Sequence, residues 1–359
     1  MWLTHTMTKR FLRAVRSSGL LWLSLGFSVN AFALTFDLPG NGATIVGDIK
    51  EVSAVTGDTF VSVARRYGLG YVELMEANPT LKPEDTLESS QAVLLPTEFI
   101  LPNADHRGLV INLAELRLYF YKPNTREVMT FPVGIGRAGW NTPLGLTNVA
   151  WKQKDPTWHV SSTIKQARAL EGVNLPDSVA PGPDNPLGQY AIHLGFNAIL
   201  IHGSNDPGGI GRRSSSGCIR LQPEAIENFF DDVMVNSPVM IVDQPIKVGW
   251  LANTLYLEVH EPLENDQGGH NHAMSDEAYH LVNAAIQARP ADIDWRAVDT
   301  SVEQQRGYPV KIGIGIGAIP TIAVPLNSAA LEIKHAKGKK TSVVHKKKTH
   351  KKSSFFNVI

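Results

Sequence analysis

Between residues 50 and 97 the spacing of apolar positions changes from that of a strand to that of a helix and back. Val52-Ser53-Ala54-Val55 reads as a strand, and Thr56-Gly57-Asp58-Thr59 as a turn ending in a good helix N-cap. Phe60 to Tyr67 carries a helical pattern, Tyr71 to Ala77 a second short helix stopped by Asn78-Pro79, and Ala92 to Leu95 a closing strand. The pattern predicts a small βααβ unit. After Pro102 the spacing becomes that of strands. Leu109 to Leu113 and Leu116 to Tyr121 flank a short turn at Ala114-Glu115 and predict a hairpin. Val128 to Val133, Leu144 to Trp151, Tyr190 to Leu194, Ala198 to His202 and Pro238 to Val242 add further strands, so 103–261 is predicted to be a mainly β domain. Ala169 to Leu187, with four prolines, reads as a long ordered loop beside it. In a C-terminal segment, 262–333, Ser275 to Ala288 predicts an amphipathic helix with Leu281, Ala285 and Ala288 on one face. Ile312 to Val324 is apolar and Gly-rich, with no evident place.

At 359 residues, 43% hydrophobic and 19% charged, the chain is long enough for two folded modules and tails. Residues 1–33 read as an export signal: Lys9, Arg10, Arg13 and Arg16 precede an apolar run from Gly19 to Val29 that ends at Ala31-Phe32-Ala33. That run is well short of the roughly 20 residues a spanning helix needs, so the mature chain is expected to begin near Leu34 with no integral membrane segment. Export places the protein in the oxidising periplasm, where thiols usually pair. The chain has one cysteine, Cys218, which is therefore either an inert buried residue or a reactive thiol. Nine lysines and no acids lie between Lys334 and Lys352, a tail (334–359) expected to lack structure; the body between signal and tail holds 21 basic and 34 acidic residues, a net of −13. An acidic body argues against nucleic acid as a partner.

Chemistry concentrates in the run from Ile201 to Leu221. His202 ends an apolar strand, a glycine-rich loop follows, and Cys218 sits between Gly217 and Ile219. A neighbouring imidazole can take the thiol proton and hold an ion pair that lowers the thiol pKa from about 8.5. Gly217 admits close approach of a substrate, so the amides of Gly217 and Cys218 are candidates to donate to a developing oxyanion. His270 and His272 lack the partners a metal site needs.

Two resemblances rest on these residues. The βααβ unit, through Gly57-Asp58-Thr59, Ala64, Tyr67, Leu74, Asn78 and Leu94-Leu95-Pro96, resembles a LysM module, which implies binding to peptidoglycan glycan strands. The run from His202 to Arg220 resembles the YkuD family of L,D-transpeptidases, with Ser216 where the family usually has a second His. That resemblance implies a YkuD-type β-sandwich over about 103 to 313, strongest from 182 to 221. It implies Cys218 as nucleophile, His202 as base, Gly203 orienting the imidazole through its carbonyl, and Arg220, Ser216 and Tyr190 at the substrate. No cofactor is implied. The implied partners are peptidoglycan stem peptides, cleaved before the terminal D-Ala, and an amine acceptor on another stem or on an outer-membrane lipoprotein. Two other classes remain at this point: a wall-peptide hydrolase using water, against which stands the order of His202 before Cys218, and a non-catalytic wall-binding protein.

Overall fold

The computed structural model describes residues 33–263 and 270–317. The expected signal peptide, the basic tail, and the side chains of His270 and His272 lie outside the described residues.

The β body is one nine-stranded sheet curled over its own core, and this supplies the two layers expected of a sandwich. In spatial order its strands are Leu34–Asp37, Glu127–Pro132, Arg117–Tyr121, Gly108–Asn112, Pro238–Val242, Gly145–Lys154, Tyr190–Leu194, Leu200–His202 and Ile219–Arg220. The predicted hairpin is present, with Leu109 opposite Phe120 and Ile111 opposite Leu118. Side chains alternate across a strand, and here both faces are covered. Leu109, Ile111, Leu118 and Phe120 join the main core, which the helix Pro223–Phe230 closes with Ala225, Ile226 and Phe229. Val110, Tyr119 and Tyr121 face the other way, into a second core with Phe60, Val63 and Leu74 of the βααβ unit.

That unit has the predicted elements: strands Lys50–Ser53 and Ala92–Leu95 pair antiparallel, and helices Phe60–Arg66 and Tyr71–Ala77 connect them. Thr59 caps the first helix by accepting from the Ser62 amide, while Ser62 reciprocates to the Thr59 amide. Because the unit lies on the sheet, Arg117 is fully buried and meets Glu73 at 2.9 Å. A second buried ionic group is formed by Lys247, 2.9 Å from Glu115 and 2.7 Å from Glu258.

The division expected at 261 cuts through a layer. Strands Ile246–Leu251 and Thr254–Val259 do not join the large sheet; with Val310–Gly315 and Ala291–Ile293 they form a four-stranded sheet of their own. Two helices cover it, His270–Ala288 and the unanticipated Trp295–Gln304. The first buries Met274, Ala278 and Val282, with Leu281 and Ala285 flanking, while Ala288 is exposed. The apolar start of the Gly-rich run from Ile312 is thus a strand of this sheet. No helix among the described residues is long and apolar enough to cross a membrane.

Candidate active site

Parity in three neighbouring strands selects the face on which the chemistry-bearing residues stand. Tyr190–Leu194 pairs with Leu200–His202 so that His193 faces Leu200 and Ala191 faces His202. Leu200–His202 pairs in parallel with Ile219–Arg220, Ile201 opposite Ile219 and His202 opposite Arg220. Ile192, Leu194, Ile201 and Ile219 are therefore core residues. Their alternates His193, Leu200, His202 and Arg220 share the other face, and one step back along the ladder puts Cys218 on that face beside Leu200. The Leu200 amide hydrogen-bonds to the thiol, and the Cys218 Sγ lies 3.7 Å from the Ala198 carbonyl.

A parallel pair cannot be joined by a tight hairpin, and the glycine-rich loop is the crossover. Asp206 accepts from the Gly208 amide at 3.1 Å and Ser204 Oγ from the Asp206 amide at 3.0 Å, which shapes its first turn. Gly211 has φ +69°, and a Cβ there would stand 2.4 Å from Gly70 Cα. This close approach ties the loop to the second helix of the βααβ unit: the Val72 amide donates to the Gly211 carbonyl at 3.2 Å, and the Arg212 guanidinium lies 3.5 Å from the Tyr71 ring centre.

The end of the loop is held from three sides. Ser215 Oγ donates to the Cys218 carbonyl at 2.5 Å and accepts from the Gly217 amide at 3.1 Å. Thr142 Oγ1 donates to the Gly217 carbonyl at 2.8 Å. Gly217 itself has φ +108°, a region that disfavours any residue with a Cβ. The two oxyanion donors expected are thus reduced to one: the Gly217 amide is engaged by Ser215, and only the Cys218 amide is without a partner among the described residues.

His202 is buried, with 3% of its surface exposed. Its Nδ1 lies 2.6 Å from the Gly203 carbonyl, which can only accept, so the proton is on Nδ1 and Nε2 carries the free lone pair. Burial, and after it the positive charge of Arg220, holds His202 down to about 3, and burial pushes the Cys218 thiol up. Burial thus disfavours the charged form of each group, more completely for His202, since Cys218 is half-exposed. Arg220 braces the loop through Nη1 to the Ser214 carbonyl at 3.5 Å, while its Nε is buried and unpaired.

Residues 106–241 match the L,D-transpeptidase catalytic domain of the YkuD family, and 54–96 match the LysM domain. The probable L,D-transpeptidase ErfK/SrfK of Escherichia coli (strain K12) is 37% identical over 295 residues, covering 80% of this chain and 94% of its own. The chain belongs to the YkuD L,D-transpeptidase family. The probable L,D-transpeptidase YbiS of the same organism is 34% identical over 293 residues, 80% of this chain and 95% of its own. The solved catalytic domain of an E. faecium L,D-transpeptidase aligns at 20% identity over 39% of this chain and 99% of that one, with a TM-score of 0.30.

Within this transpeptidase domain the expected site residues separate. Gly217, Cys218 and Arg220 lie along the segment whose strand pairs with the one that carries His202 and runs into Gly203, and Ser216 is half-exposed at the loop's end, beside Gly217. Tyr190 does not belong with them. It has the parity of Ile192, so its ring packs 4.8 Å from Phe230 and its hydroxyl donates to Glu227 at 3.4 Å, on the opposite face of the sheet. Thr142 was not anticipated. It lies 75 positions from the carbonyl it holds, and no local signal in the sequence points to it.

Proposed function

We propose that this L,D-transpeptidase acts on peptidoglycan tetrapeptide stems with Cys218 as nucleophile and His202 as base. The observation that carries the reading is the 2.6 Å contact of His202 Nδ1 with the Gly203 carbonyl, which leaves Nε2 as the acceptor, on a strand end paired with the one that follows Cys218. Nε2 takes the thiol proton as sulfur attacks the carbonyl of the third stem residue, and the Cys218 amide donates to the oxygen as it becomes anionic. The bond to the terminal D-Ala breaks, its nitrogen takes the proton back from Nε2, and a thioester remains. An acceptor amine then attacks the thioester, gives a proton to Nε2, and the sulfur leaves and is reprotonated. Arg220 steadies the loop and offers its guanidinium to a substrate carboxylate. The export signal expected at 1–33 puts the reaction in the periplasm, and the LysM module holds the glycan strand.

Purified wild-type and Cys218→Ala proteins incubated with tetrapeptide muropeptides test this. Wild type is expected to release D-Ala and form a thioester seen as a mass adduct, and the variant to do neither. Equal release by both would sink the assignment.

A further inference from the structure

On the far edge of the catalytic face Arg220 is bridged to Gly134, accepting from its amide at 2.9 Å and donating to its carbonyl at 2.8 Å, while on the near edge the sheet continues from Cys218 through Leu200. On the near side, Cys218, Leu200, His193 and Trp151 form a row across four adjacent strands, in which Leu200 is buried and Trp151 exposed. The position of Trp151 follows from a bulge. Val149 stands opposite Leu194 and Trp151 opposite His193, with Ala150 as the extra residue between them. Without that residue, simple alternation would give Trp151 the same face as buried Val149. The insertion reverses the phase and turns Trp151 onto the catalytic face. There its ring stacks on His193 with centres 3.4 Å apart, yet it remains 48% exposed. It has room because Pro238–Val242 pairs only with Gly145 to Asn148 of this strand.

His193 is the second unusual feature of the row. Its Nε2 is shielded from water and has no hydrogen-bond partner. Leaving such a group unpaired is costly, so natural structures seldom do it without a compensating use. Burial also holds the ring near 4, which keeps it neutral and able to donate at one nitrogen while accepting at the other. Rotation about Cβ–Cγ, a soft torsion to an sp2 ring, turns the nitrogen to the open face.

We propose that Trp151 and His193 form the subsite that positions the acyl-donor stem peptide, Trp151 covering its aliphatic part and His193 hydrogen-bonding a peptide carbonyl or carboxylate. This rests on the reading of Cys218 as the nucleophile. Three strand spacings of about 4.8 Å carry the row about 14 Å from Cys218, against about 10 Å for the three stem residues that precede the cleaved bond at about 3.3 Å each. A stem whose third residue is attacked at Cys218 therefore reaches past His193, and its link to the sugar spans the remaining distance to Trp151.

The test uses full-length His193→Phe, which keeps the stack and loses the nitrogens, His193→Gln, which restores a polar group, and Trp151→Ala. With disaccharide-tetrapeptide as donor, His193→Phe and Trp151→Ala are expected to raise KM about ten-fold with kcat within about two-fold, and His193→Gln to recover part of the loss. The reaction of Cys218 with a small disulfide reagent is expected to be unchanged in all three. Calorimetric titration of the same donor into Cys218→Ala proteins, with and without His193→Phe, is expected to show about ten-fold weaker binding with it. Unchanged KM and Kd in His193→Phe and Trp151→Ala overturn the proposal while leaving the nucleophile assignment intact. Wild type that binds the donor through these residues but does not turn it over overturns that assignment and leaves the subsite standing.

Discussion

Glu73→Ala is the substitution whose cost can be worked most directly from the structure. Arg117 is 0% and Glu73 5% exposed. The guanidinium donates to both carboxylate oxygens, at 3.2 and 2.9 Å, to the Gly68 carbonyl at 2.9 Å and to Thr130 Oγ1 at 3.1 Å, and its carbon lies 4.3 Å from the Phe99 ring centre. Removing Glu73 leaves a positive charge inside the protein with only neutral partners, and breaking a buried pair in this way costs about 3–5 kcal/mol. At an m-value of about 3 kcal/mol/M, the urea midpoint falls by roughly 1–1.7 M. The damage is expected to reach catalysis. The helix that carries Glu73 also carries Val72 and Tyr71, which hold Gly211 and Arg212 of the loop leading to Cys218. Replacing both partners by apolar residues of similar volume, Glu73→Leu with Arg117→Met, removes the stranded charge and is expected to recover most of the stability. The assay is urea unfolding of the full chain with D-Ala release measured in parallel. A single variant within about 1 kcal/mol of wild type, or a double variant no more stable than the single, refutes the reasoning.

The neutral state of His202 sets the pH profile: kcat/KM is expected to hold from about pH 7 to about pH 5, with no acid limb near the ordinary histidine value. Arg220→Gln removes a charge that depresses His202, so its acid limb moves to higher pH, and a profile that keeps the wild-type limb contradicts the assignment. Thr142→Val removes the donor to the Gly217 carbonyl and the acceptor for the Gly136 amide; a loss of about 1–3 kcal/mol and a kcat at least about ten-fold lower are expected, with rescue by Thr142→Ser, measured by thermal melts and initial rates. Burial raises Glu76 from its ordinary value of 4.5 to about 7, so its stabilising protonation is complete below about pH 4.5 and is lost as pH climbs through about 7, at most about 3 kcal/mol in all. Glu76→Gln is expected to flatten that decline in urea midpoints taken at about pH 5 and about pH 8, and a decline equal to that of wild type counts against it.

The elements most legible in the sequence are those fixed by contacts a few residues apart. Helix Tyr71–Ala77 and strands Ala92–Leu95, Tyr190–Leu194 and Pro238–Val242 fall where the apolar spacing and the capping or breaking residues place them. The reactive stretch was legible for the same reason. A histidine at a strand end, a crossover loop with its glycines and a thiol just before the next strand all lie within the run from Ile201 to Leu221, and the Gly203 carbonyl that meets its Nδ1 is adjacent to His202.

Facing and partnership across the sheet were not legible. Arg117 and Tyr119 stand at positions that an isolated hairpin would give to solvent, and they are buried only because the LysM unit lies on that face. Tyr190 was expected at the substrate from the family resemblance, but strand parity turns it onto the helix Pro223–Phe230. The bulge at Ala150, which gives Trp151 to the catalytic face, and the hydroxyl of Thr142 beneath Gly217 depend on registers set by residues 40 to 75 positions away. By itself the sequence determined the elements and set Cys218 and His202 within one short run, since local spacing encodes both. Which face each strand presents, and the burial that lowers the basicity of His202, were decided by the tertiary structure, because register and burial are properties of the packed layers and not of any one segment.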